Sequence, residues 1–167
     1  SQRGGAVSVQ AKTDNMSIAF SSCSFTGNIA KTGGAVYANN LADIYTAFTN
    51  CSFSQNTATD AGGGAVCQSA GIISVSNSTF SYNKAPYGGA IRNEGSPVLS
   101  VFNSIFNNNG STTSGGALSL YQGRDTLNNN LFIGNKDSST TQGGGAVCTS
   151  SGDFYFINNT FYADTSL

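Results

Sequence analysis

The sequence predicts an all-β solenoid, a right-handed parallel β-helix of about six coils of 25–30 residues. Three observations carry this expectation. Glycine pairs followed by Ala and then Val, Ile or Leu recur at Gly4–Gly5, Gly33–Gly34, Gly63–Gly64, Gly88–Gly89, Gly115–Gly116 and Gly144–Gly145, spaced by 29, 30, 25, 27 and 29 residues. A Phe-x-x-Asn motif runs in phase with them: Phe25 and Asn28, Phe53 and Asn56, Phe80 and Asn83, Phe106 and Asn109, Phe132 and Asn135, with the variant Phe161 and Asp164. No stretch has helical periodicity, strong helix formers are scarce, and Gly, Asn, Ser and Thr abound.

Each column of the repeat has a physical reading, taken in chain order along one coil. The glycine pair is a corner where backbone bends sharply or packs close. It is followed by an apolar column, Val7, Val36, Val66, Ile91, Leu118 and Val147, expected to point inward. A second inward column is Phe20, Phe48, Val75, Val101, Leu127 and Phe156. Two residues later stand Ser22, Asn50, Asn77, Asn103, Asn129 and Asn158, types that tolerate left-handed backbone and make a corner between short strands. The motif Phe then points inward across that corner. The Asn three residues on also turns inward, where stacked amides form a hydrogen-bonded ladder. Short strands and three corners per coil follow. Coils hydrogen-bond to one another about 4.8 Å apart. A single coil cannot bury its own apolar face, so stability comes from stacking.

Composition narrows the function classes. Only 9% of the 167 residues are charged and the net charge is −1, which leaves no basic patch for nucleic acid. Eleven Phe and seven Tyr argue against disorder. No apolar run reaches the roughly 18 residues that a membrane helix requires, so this segment is not expected to insert into a membrane. The chain reads as one segment over residues 1–167, expected to be a slice of a longer solenoid or a unit that stacks on copies of itself.

Catalysis by such folds needs clustered acids, often with a base nearby. This chain has no His, and its acids, Asp14, Asp43, Asp60, Glu94, Asp125, Asp137, Asp153 and Asp164, fall on different coils and columns. Arg92 and Glu94, two apart on one strand face, read as a surface ion pair. The expectation is a non-enzyme without metal or cofactor. Cys23 and Cys51 share a column in adjacent coils, about 5 Å apart, within disulfide range; two buried thiols is the equal alternative. Cys67 and Cys148 share a column three coils apart, about 14 Å, too far to bond, and the column, which also holds Tyr37 and Arg92, is expected to face out. Of the Asn-x-Ser/Thr sequons at Asn15, Asn50, Asn77, Asn109 and Asn158, those at Asn50, Asn77 and Asn158 fall at one exposed corner and are candidate glycosylation sites. Asn109 lies in the inward ladder and is a poor acceptor.

The alternating GGA and Phe-x-x-Asn motifs resemble the repeat signature of the chlamydial polymorphic outer-membrane proteins, over essentially the whole chain. That resemblance implies a surface-exposed autotransporter passenger concerned with adhesion. It implies an extracellular or cell-surface location and, as partner, a host-cell or matrix protein or glycan. The other reading is a structural module of an extracellular filament.

Overall fold

The computed structural model describes residues 2–10, 16–39, 45–95, 98–141 and 143–167. They form a parallel β-helix. Four sheets run along the rod, each of six strands and each strand contributed by one coil. Coil one shows the plan: Val7–Gln10 lies in sheet one, Ser17–Ser21 in sheet two, Ser24–Thr26 in sheet three and Ile29–Ala30 in sheet four. Every pairing is parallel, and equivalent positions of the repeat meet across it, for example Val66 with Ile91, Val75 with Val101 and Phe80 with Phe106.

The coil has one more corner than the sequence predicts. Between sheets two and three the chain turns at Ser22, Asn50, Asn77, Asn103, Asn129 and Asn158, all with φ between 50° and 57°. A second left-handed residue stands just before each ladder position, at Gly27, Gln55, Tyr82, Asn108, Gly134 and Ala163. It separates sheet three from sheet four. Its residues range from Gly27 and Gly134 to Gln55, Tyr82, Asn108 and Ala163, so no single residue type marks the column. The ladder demands the bend, because only a left-handed residue there swings the next side chain inside.

The core is built from stacked like residues. Rings of Phe25, Phe53, Phe80, Phe106, Phe132 and Phe161 lie nearly parallel, with centroids 4.6–4.9 Å apart. That is the coil spacing itself. Beside this column Phe20 stacks on Phe48 at 5.1 Å, and Phe48 meets Phe53 edge-on.

The ladder is continuous. Asn83 Oδ1 accepts from the backbone N–H of Asn56 (3.0 Å) and from its Nδ2 (2.9 Å); Asn83 Nδ2 donates to Asn109 Oδ1 (2.9 Å) and to Phe53 O (3.0 Å). Both amide protons and both lone pairs are thus used, and Asn56, Asn109 and Asn135 repeat the scheme. A second ladder, missed from sequence, runs two residues before each Phe. There Cys51 N–H donates to Ser78 Oγ, Ser78 N–H to Ser104 Oγ, Ser104 N–H to Asn130 Oδ1 and Asn130 N–H to Asn159 Oδ1. The column changes residue type from Cys to Ser to Asn. That change hides what the Ser and Asn members share, an oxygen that accepts from the coil before.

At the glycine corner two different constraints act. The first glycine is left-handed at Gly4, Gly33, Gly88, Gly115 and Gly144. In coil three the left-handed residue is instead Gly62, one position earlier than the pair Gly63–Gly64. The second glycine of each pair has no unusual φ but no room. A Cβ on Gly89 would fall onto Gly116 O and stand 2.6 Å from Gly110 N. Here the turns of adjacent coils and the start of sheet four meet backbone to backbone. The Ala that follows is fully buried in coils two to five.

Candidate binding cleft

On the outer face of sheet one the coils stop being copies. The outward column reads Tyr37, Cys67, Arg92, Ser119 and Cys148, in register. The expectation that this column lies on the surface is corrected at Tyr37, Cys67 and Ser119, all of them buried. Tyr37 is 5% exposed and Cys67 0%. The segments that lead into the glycine corners fold over this face; Gly62 lies so close that a Cβ there would stand 2.8 Å from Cys67 Sγ. Burial pushes the Cys67 thiol up to about 12, so it is protonated and unreactive at neutral pH. Cys148 is half-buried.

Between coils four and six this cover gives way to a cleft of about 730 Å³. Arg92, from the strand Ile91–Asn93, lies with its guanidinium 4.3 Å above the ring centroid of Tyr87. Its Nη2 is 3.3 Å from Glu94 Oε1, which realises the ion pair read from sequence. The cleft adds the hydroxyls of Ser114 and Ser119, 3.1 Å apart, and the rings of Tyr87 and Tyr121. Coil six closes it with Cys148, Thr149 and Ser150. An arginine fixed by a ring and a carboxylate keeps further donors for a ligand. Tyrosine rings with hydroxyls beside them suit a ligand that alternates apolar faces with polar edges. Sequence reasoning found Arg92 and Glu94 but not Tyr87, Ser119 or Tyr121. Ser119 stands in the column of Cys67, Arg92 and Cys148, so the register of the repeat could have found it; Tyr87 and Tyr121 lie outside that column and share no motif.

The remaining candidate residues are placed as follows. Cys23 and Cys51 lie side by side in the second ladder column, both as free thiols. Cys51 Sγ donates to Phe20 O and Cys23 Sγ to Ser21 O. Burial raises the Cys51 thiol above its ordinary value. Asn50, Asn77 and Asn158 are exposed at the left-handed corner, and Asn109 is buried in the ladder. Asn15 lies outside the described residues. Among the acids, Asp14 and Asp43 also lie outside them, Asp60 and Asp153 are exposed, and Asp125 and Asp137 are fully buried. Arg124 pairs with Asp153 at 3.5 Å on the surface. Among the described residues, no three His, Cys, Asp or Glu side chains gather as metal ligands would.

A family model described as a right handed beta helix region matches residues 2–161. No curated protein and no solved structure matches the chain.

Proposed function

Because the chain belongs to the right-handed β-helix family, we propose that it is a non-catalytic attachment segment of an extracellular surface protein, binding a host-cell or matrix protein or glycan through the cleft on sheet one. The family includes enzymes as well as non-enzymes, and its fold is common in extracellular proteins. The observation that carries this reading is the cleft itself, with Arg92 held between Tyr87 and Glu94 and hydroxyls alongside. The non-catalytic part is supported by the acids. Asp125 and Asp137 are sealed in the interior and engaged with Asn93, Leu99 and Ser111, not presented in pairs at the cleft. The repeat signature shared with chlamydial polymorphic outer-membrane proteins supports an adhesive passenger within this broader family. Asn50, Asn77 and Asn158 are the acceptors if the chain is glycosylated.

The test is binding of the isolated chain to cell-surface extracts and a glycan array, alongside Arg92→Ala and Tyr121→Ala. We expect each variant to lose at least about tenfold in affinity with unchanged melting, as for removal of an interface anchor. Equal binding by all three proteins would remove the cleft from consideration.

A second reading, end-to-end stacking in a filament, is supported by the coil-to-coil match of the strands. The edge strands of coils one and six match in length in sheets two, three and four. Stacking of copies predicts concentration-dependent rods by negative stain, and a monodisperse monomer at high concentration rules it out.

A further inference from the structure

We propose that Asp125 is held as a neutral carboxylic acid, closing a two-point carboxyl–amide pair with Asn93 inside the corner between sheets one and two. In this state acid tightens the strand Ile91–Asn93, which carries the cleft residue Arg92. The inference concerns the fold and stands whatever ligand the cleft takes.

The geometry begins with three oxygens. Asn93 Nδ2 donates to Asp125 Oδ1 at 2.8 Å, and the backbone N–H of Leu99 donates to the same oxygen at 2.9 Å. The other oxygen of each side chain, Asp125 Oδ2 and Asn93 Oδ1, is buried and has no partner. Gln68, in register with Asn93 one coil earlier, contributes a third buried acceptor without partner, Oε1, while its amide donates to Ala70 O. All three residues are 0% exposed. An unpaired carboxylate among unpaired acceptors is an expensive arrangement in a low-dielectric interior. What is missing is a donor. These atoms have essentially no water-accessible surface, so a water has no room beside them. A proton needs none. Placed on Asp125 Oδ2 and donated to Asn93 Oδ1, it completes a ring with the existing N–H···O bond and satisfies both orphans at once.

The surroundings agree. The inward neighbours on the packed strands are Leu99, Phe154, Asn93, Gln68 and Leu120, none ionisable. The nearest charges lie outside and are paired with each other, Arg92 with Glu94 and Arg124 with Asp153. Asp137, the other fully buried acid, belongs to sheet four and bonds Ser111. Burial pushes the Asp125 carboxyl up to about 6, partly offset by the hydrogen bonds from Leu99 and Asn93. The folded pKa exceeds the unfolded one, so the folded state holds its proton more tightly. This contribution to stability is fully present below the unfolded value near 4 and is lost as pH rises through about 6. The chain has no His, so few other side chains titrate between pH 5 and 8.

The experiment compares wild type with Asp125→Asn between pH 8 and pH 5, by denaturant unfolding and by ¹³C NMR of the Asp125 carboxyl carbon in the intact chain. Asparagine supplies the donor permanently and keeps the acceptor. Relative to the variant, the wild-type folding constant should gain about tenfold between pH 8 and pH 5, and the variant should be the more stable at pH 8. The carboxyl carbon of wild type should titrate well above an ordinary aspartate. A wild type that tracks the variant at every pH, or a carboxyl that titrates near 4, would overturn the proposal. The NMR result decides it even if the variant folds poorly.

Discussion

The Phe-x-x-Asn side of the rod and the corner between sheets one and two are built by the same coils and come out differently. On the first, every coil offers the same groups at the same height. Stacking alone then aligns ring on ring and amide on amide, and the central ladder amides end fully bonded. At the second, successive coils place Gln68, Asn93 and then Leu120 at one inward position, and Leu99, Asp125 and Phe154 at the other. Three of the five buried side-chain oxygens without a partner among the described residues are there. Repetition satisfies polar groups automatically, because each residue is both donor to one neighbour and acceptor from the other. Where the coils diverge, satisfaction must be arranged case by case. That same region also carries the cleft.

The largest way to break the regular side is steric. Gly89→Val forces a side chain into Gly116 O and the Gly110 backbone, atoms that cannot give way without separating coils. We expect a loss of at least about 4 kcal/mol, read as failure to fold or a collapse of the melting transition. Valine tolerated at Gly89 would mean that the backbones do not meet there.

Next is the ladder. Asn83→Leu keeps the volume but leaves Asn56 N–H, Asn56 Nδ2, Phe53 O and Asn109 Oδ1 each short of a bond. The cost should be about 3 kcal/mol in urea unfolding, against under about 0.5 kcal/mol for an exposed substitution such as Thr112→Ala. Similar values for the two would erase the distinction between ladder and surface.

Oxidation of Cys23 and Cys51 probes the ladder's weakest rungs. A mild thiol oxidant should remove two hydrogens by mass and raise stability by about 2–4 kcal/mol through closure of the intervening loop. Two thiols still alkylatable after oxidation would leave them as packing groups.

The smallest effect sits at the end of the ladder. Asp164 Oδ1 accepts from Asn135 as an asparagine would, but Oδ2 replaces the amide donor that the other members send to the preceding coil's Phe carbonyl, and it has no partner. Asp164→Asn restores that donor and should stabilise by about 1 kcal/mol. An unchanged or lowered denaturation midpoint would show that the last rung is not held like the others.

By itself the sequence determined the solenoid, its coil length, both Phe columns, the Asn ladder and the left-handed corner at Asn50, Asn77 and Asn158. These features repeat with the coil, and a residue type that recurs at one height leaves a column that can be read without coordinates. The tertiary structure alone decided the bend before each ladder Asn, because unlike side chains occupy it under one backbone constraint. It alone assembled the cleft, where Arg92 and Ser119 share a column but Tyr87 and Tyr121 come from outside it. It alone sealed Asp125 against Asn93. A column announces what coils have in common; contacts between unlike residues of different sheets depend on how the corner folds them together, and no periodicity records that.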